Sequence, residues 1–130
     1  MMKSFYEIDG YPFDEEVTSN NFDYFIKNEN LGQSFTIKYK GEIAGYMIIN
    51  FLFSFEFGGH ICFLDELYIK PEFQGKSLGK KAVLHAQDFA SKKDLKLIYL
   101  EVEHHNERAK HLYETLGFEN HKRGLMYFKP

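Results

Sequence analysis

Two short turn signals constrain the fold of this chain more than any other feature of its sequence. Lys40-Gly41-Glu42 and Gly58-Gly59 divide the stretch from Ser34 to Lys70 into three strand-like runs. Ser34 to Tyr39 places Phe35, Ile37 and Tyr39 at alternate positions, the period of a half-buried strand. Ile43 to Phe53 is almost continuously apolar and reads as a long, largely buried strand, and His60 to Lys70 is the third. Turns this tight join antiparallel neighbours, so the three runs predict an antiparallel meander. A doubly wound nucleotide-binding fold does not start this way.

Beyond the meander the pattern changes. Pro71 ends the third strand, Glu72 to Ser77 is a loop, and a helix is expected from Leu78 to Lys92. Leu78, Ala82, Val83, Ala86, Phe89 and Ala90 form one apolar stripe along it. Leu97 to Val102 reads as a short strand. Strand, helix, strand is a crossover unit, so the strands ending at Lys70 and Val102 are expected to run parallel. Asn106 has the character of a helix N-cap, Ala109, Leu112, Tyr113 and Leu116 continue a helix, and Gly117 suits its left-handed end. Met126 to Lys129 reads as a final strand after a turn near Arg123-Gly124. Upstream of the meander, Phe13 to Asn28 holds one or two short helices, with Phe22, Phe25 and Ile26 at helical spacing. The whole is an α/β chain (α+β mixed), with a central mixed sheet and a parallel strand pair around one helix.

The 130 residues fit one domain, 1–130. Aromatic residues make up 18% of the chain, enough for a dense core without any Trp. The formal net charge is -3, which lacks the basic footprint of a nucleic-acid binder. The one cysteine, Cys62, precludes an internal disulfide and a cysteine-rich zinc site, and no metal is expected. It lies in the apolar run Ile61 to Leu64 and reads as a buried filler. No segment has the length of a membrane-spanning helix, and the N-terminus lacks the apolar core of a signal peptide, so a cytoplasmic location without membrane attachment is expected.

The stretch Leu67 to Lys81 carries the most chemical information. A strand ends, a small-residue loop follows, and a helix begins, which presents unpaired backbone N–H groups and the positive end of a helix dipole. Such an end binds phosphate. Gly75 and Gly79 lack a Cβ and allow close approach, and Lys76, Lys80 and Lys81 add positive charge. A glycine pair this short also serves simply as turn and packing. Here the segment resembles the acetyl-CoA signature of the GNAT (GCN5-related) N-acetyltransferase superfamily: Gln or Arg, two residues, Gly, one residue, then Gly or Ala. Gln74 fills its first position and Gly79 its last, while Ser77 replaces the central Gly. If that position takes a positive φ, Ser carries a cost that Gly does not. Two further blocks are similar to the family in the right order. They are Leu64 to Ile69, and Leu100-Glu101-Val102 followed by Asn106, Ala109, Leu112-Tyr113 and Gly117-Phe118. The resemblance covers Gly41 to the C-terminus. Phe5 to Ile8 is the candidate for the family's first strand.

The resemblance implies acetyl-CoA as co-substrate, held in a slot where two parallel strands splay apart. The backbone of Leu67 and Ile69 would pair with the pantetheine arm, and an N–H near Leu67 or Tyr68 would polarise the thioester carbonyl. The loop Gln74, Gly75, Lys76, Ser77, Leu78, Gly79 and Lys80 would hold the pyrophosphate. Asn106 would bond the arm, and Tyr113 would sit near the thioester sulfur. Packing alone also explains Tyr113, and capping alone also explains Asn106. The resemblance permits a homodimer.

Transfer to an amine needs a base, because an alkylammonium with a pKa of about 10 is no nucleophile until it loses a proton. Asp65 and Glu66 precede the acetyl-binding backbone, and similar polyamine-type members carry an acidic pair there. Strand alternation sends one toward the cleft and one away, although a bulge breaks that parity. Glu66 is the preferred base, with Asp65 next and His104 and His105 behind both. Tyr113 is the candidate acid for the leaving thiolate. His60 and Glu56 flank the second turn as lesser candidates for an acceptor pocket. Together with Glu101 and Glu103, the acidic residues would attract a cationic acceptor. The expected activity is N-acetylation of a small or polyamine-like amine by direct attack. Acetylation of a protein or peptide is a second possibility, and a non-catalytic acyl-CoA-binding regulatory module is a third, supported by Ser77.

Overall fold

The computed structural model describes all 130 residues. Its elements run α1 (Met2–Ile8), α2 (Glu15–Lys27), β1 (Gly32–Tyr39), β2 (Glu42–Ser54), β3 (Gly59–Ile69), a 3-10 turn (Pro71–Phe73), α3 (Leu78–Lys92), β4 (Ile98–Leu100) and α4 (Glu107–Thr115). The four strands form one mixed sheet in the order β1-β2-β3-β4. The first two pairings are antiparallel, and β3 with β4 is parallel. The meander, the crossover and the limits of α3 agree with the sequence expectation.

The sheet has helices on both faces. On one, Met47, Ile49, Cys62 and Leu64 meet Ala82, Val83 and Ala86 of α3 in a buried cluster, with Tyr113 and Leu116 of α4 packed against it. Cys62 is fully buried there, and burial pushes its thiol up to about 11. On the other face, Tyr46, Ile48 and Tyr68 form a second cluster covered by Met2 and Phe5 of α1 and Phe25 of α2. Two helix starts carry side-chain caps: the Asp14 carboxylate accepts from the Val17 N–H at 2.9 Å, and Asn106 Oδ1, the cap the sequence predicts, accepts from the Ala109 N–H at 3.1 Å.

Two expectations are corrected. Phe5 to Ile8 belongs to a helix and not to a first strand. Met2 and Phe5 stand three positions apart, so a helical turn brings both onto the second cluster. Met126 to Lys129 forms no strand either, and the sheet ends at β4. The segment before it crosses β4 through side chains. The His121 ring lies 5.5 Å from that of Tyr99, and Arg123 Nη2 donates to both carboxylate oxygens of Glu56 at 2.9 and 3.0 Å. Beyond that tether Leu125, Met126, Tyr127 and Phe128 stand 77% to 94% exposed, with no strand beside them.

Candidate active site

The site is built around an irregularity in β3. Ile48 of β2 pairs with Glu66, and its neighbour Ile49 pairs with Leu64, so Asp65 is an extra residue bulged out of the ladder. Without it, strict alternation would put Glu66 on the α3 face with Cys62 and Leu64. The bulge reverses the parity. Leu67 now packs toward α3, while Glu66 and Tyr68 turn toward α1.

The sheet splits at the same place. β3 pairs with β4 only from Cys62–Ile98 to Leu64–Leu100, whereas its pairing with β2 continues to Ile69–Gly45. Leu67, Tyr68 and Ile69 thus have a strand on one edge and none on the other. An open backbone edge takes up an extended ligand by strand addition.

Glu66 is the only charged residue buried in the chain, at 7% exposure. Both its oxygens are capped. The Tyr6 hydroxyl donates to Oε1 at 2.6 Å, and the Tyr46 hydroxyl donates to Oε2 at 2.9 Å. Burial raises the Glu66 pKa above the ordinary carboxylate range, with Asp65 adding to the rise and the two phenol bonds opposing it. Both phenols are themselves held well above their usual pKa, by burial first and the Glu66 carboxylate next. Asp65 stays exposed on the bulge. Of the acidic pair, then, one is buried beside the split and one faces solvent.

The loop after β3 could hold an anion. Gln74 Nε2 donates to the Ile69 carbonyl at 3.2 Å and braces the loop against the strand end. Gly75 has φ +75°, and a Cβ built on it would meet nothing within 4 Å. Ser77 is also left-handed, at φ +58°, so the central position of the signature does require a positive φ and Ser supplies it. Helix α3 then starts at Leu78, leaving the N–H groups of Leu78, Gly79 and Lys80 without a helical acceptor. No acidic residue stands in that first turn. The side chains of Lys76 and Lys80 are exposed around it. Leu78 itself is buried, so only its backbone is available. A Cβ on Gly79 would touch Leu112 of α4 at an ordinary 3.8 Å, so its small size serves helix packing and would admit Ala. These residues fit a pyrophosphate.

Tyr113 is half-buried on the face opposite Glu66, and burial raises its pKa. Its ring packs 5.7 Å from that of Phe118. No buried side-chain polar atom lacks a partner, so the unbonded Tyr113 hydroxyl reaches accessible space. It lines a cavity of about 720 Å³ between β4, α4 and residues 117–123. Neither Asp65, Glu66 nor the 74–80 loop lines that cavity.

The remaining candidates are placed elsewhere. Glu56 is tied to Arg123, and His60 packs 5.3 Å from the Phe53 ring, six residues along β3 from Glu66 and so about 20 Å away. The exposed His105 is paired with Asp9 at 3.2 Å, and Glu103 accepts from the Tyr11 hydroxyl. These two contacts strap the α1–α2 linker to the loop after β4. His104 is exposed. The residues that sequence reasoning missed are Tyr6, Tyr46, Asp9 and Tyr11. Tyr46 carries a signal, since it shares parity with Ile48 on β2. Tyr6 carries none, being 60 positions from its partner.

The acetyltransferase (GNAT) family model matches residues 1–118, and the chain belongs to that family. It is 33% identical over 79 residues to the uncharacterized N-acetyltransferase YhfO of Bacillus subtilis, covering 61% of this chain and 53% of that one. With the thialysine N-epsilon-acetyltransferase of Sus scrofa it shares 33% identity over 75 residues, covering 58% and 44%. The chain thus spans about half the length of these curated relatives. The crystal structure of integron cassette protein HFX_CASS3, from the mobile metagenome of Cole Harbour Salt Marsh, superposes with a TM-score of 0.87 at 24% identity, covering 98% of this chain and 79% of that one. That likeness establishes the mixed α/β fold. No helix is long and apolar enough to cross a membrane.

Proposed function

We propose that residues 1–130 form one acetyl-CoA-dependent N-acetyltransferase domain acting on a primary amine. The observation that carries this is the coincidence of the Asp65 bulge with the end of β3–β4 pairing, which leaves Leu67 to Ile69 with an open edge beside the buried Glu66 carboxylate. Acetyl-CoA supplies an acetyl group activated as a thioester. The backbone of Leu67 and Ile69 holds the extended pantetheine arm as an added strand. An N–H at Leu67 or Tyr68 polarises the thioester carbonyl, and a donor of that kind contributes roughly 3 kcal/mol to such a transition state. Gly75 to Lys80 bind the pyrophosphate through backbone N–H groups, with Gln74 bracing the loop. Asn106, whose Oδ1 is engaged in its cap, has its amide NH2 free for the arm. Glu66 is the base for the acceptor ammonium, and its raised pKa brings it closer to that task. Tyr113, on the far face of the split, is the acid for the leaving sulfur. Asp65, exposed at the bulge, draws a cationic acceptor toward the site.

The acceptor is a small amine of the kind that the name of the thialysine enzyme indicates, with a peptide amine as the competing class. The non-catalytic alternative rested on Ser77, and Ser77 takes a left-handed backbone of the kind a glycine adopts freely. A cytoplasmic location suits the single buried thiol.

The test is thiol release from acetyl-CoA across a panel of polyamines, lysine analogues and peptides, comparing the wild type with Glu66→Gln. Release with a small amine, reduced at least 10²-fold in Glu66→Gln with acetyl-CoA binding kept, is expected. An unchanged rate in Glu66→Gln would remove Glu66 as base, and a preference for peptides would reassign the acceptor.

A further inference from the structure

We propose that the Tyr6 hydroxyl relays the acceptor's proton to Glu66, making this N-terminal helix residue part of the catalytic machinery; the proposal rests on Glu66 being the base. The geometry leaves the carboxylate little surface for direct contact with an acceptor. Glu66 is 7% exposed, and each of its oxygens already accepts a phenol hydrogen bond. The two phenols differ in position. Tyr46 lies in β2 and is as buried as Glu66 itself, at 7%. Tyr6 lies on α1, outside the sheet, and is only half-buried. Its bond to Oε1 is also the shorter, 2.6 Å against 2.9 Å. The titratable groups around Glu66 are therefore Tyr6 from α1, Tyr46 from β2, and Asp65 and Tyr68 from β3. Of the two that touch it, Tyr6 is the more exposed residue, and on that ground it is assigned the relay.

The step balances without any further reactant. One N–H bond of the acceptor ammonium breaks as its proton passes to Tyr6 Oη. The Tyr6 O–H bond breaks in the same event, and that proton goes to Glu66 Oε1. The products are a neutral amine, a neutral Tyr6 and a protonated Glu66. A phenol held above its usual pKa starts the step with its proton in place, and concerted transfer avoids a free phenolate. After acetyl transfer the proton on Glu66 returns to solvent by the same route.

The test compares Tyr6→Phe, Tyr46→Phe and Glu66→Gln in the full chain. Each Phe variant removes one bond to Glu66, but only Tyr6→Phe removes the relay. The expected result is a fall in kcat of about 10²-fold for Tyr6→Phe and less than 10-fold for Tyr46→Phe, with KM for acetyl-CoA unchanged in both. In mixtures of light and heavy water, a curved dependence of the wild-type rate, from two protons in flight, is expected, and this reading needs no variant. Equal losses in the two Phe variants, or a strictly linear dependence, would overturn the relay while leaving Glu66 as base. Full activity in Glu66→Gln would instead overturn the assignment beneath it.

Discussion

Leu64 pairs with Leu100 at the last rung that β3 shares with β4, and the very next residue, Asp65, is the bulge. One local event therefore does two things. It turns Glu66 from the α3 face to the α1 face, and it marks where the edge of β3 becomes free for an extended ligand. The proposed base and the proposed slot are thus coupled through a single inserted residue.

The buried carboxylate makes stability depend on pH. Glu66 titrates near 4.3 when unfolded, and burial holds it higher in the fold. Between the two pKa values the folded state binds more protons than the unfolded state, so stability falls as pH rises through that window and stays lower above it. Glu66→Gln removes the charge. Thermal melts from pH 4 to pH 8 should show the variant gaining on the wild type as pH rises. A constant difference across that range would contradict the effect of burial on Glu66.

Ser77 sits at φ +58°, where an L-residue costs about 1–2 kcal/mol. Gly relieves this but adds roughly 0.5–1 kcal/mol of chain entropy. Ser77→Gly should therefore stabilise the protein by about 0.5–1 kcal/mol in urea melts and should leave acetyl-CoA affinity the same or tighter. Weaker binding would mean that the serine hydroxyl contributes to the anion site.

Gly45 holds the other edge of the slot strand in place. A Cβ on it would lie 2.0 Å from the Tyr68 carbonyl oxygen, a backbone clash that only strand movement relieves. Gly45→Ala should lose more than about 2 kcal/mol, and any folded fraction should bind acetyl-CoA less well. Wild-type stability in a denaturant titration would count against the β2–β3 register at Ile69–Gly45.

Tyr113 has its pKa raised above 10.0 by burial. As the proposed acid it would stay protonated across the working range, so kcat should show no fall on the basic side up to pH 9. Tyr113→Phe should lower kcat at least 10-fold, within the range of a proton-transfer group, with little change in KM for acetyl-CoA. A wild-type basic limb near pH 8 that vanished in Tyr113→Phe would mean that its pKa is lowered.

Much of this architecture was legible in the sequence because local chemistry dictates it. Gly41 and Gly58 take φ of +82° and +75° at the two meander turns, and the apolar stripe of α3 delimits Leu78–Lys92. Asn106 caps α4, and Gly117 leaves it at φ +90°. What stayed hidden depends on distant partners. Seven residues are too few for helical periodicity to identify α1, which is held by Phe5 on Tyr46 and Tyr68 and by Tyr6 on Glu66. The apolar run Leu125 to Phe128 looks like a strand, but strand formation needs a paired edge, and none adjoins it. Alternation could not choose between Asp65 and Glu66, since one bulged residue reverses its answer.

The central claim is that this chain binds acetyl-CoA between the open edge of β3 and the start of α3. Calorimetric titration of the purified protein with acetyl-CoA, alongside CoA, tests it without knowledge of the acceptor. Binding at micromolar concentration with one site per chain is the expected result. No detectable binding would contradict it, and the assignments of Glu66, Tyr6 and Tyr113 would fall with it.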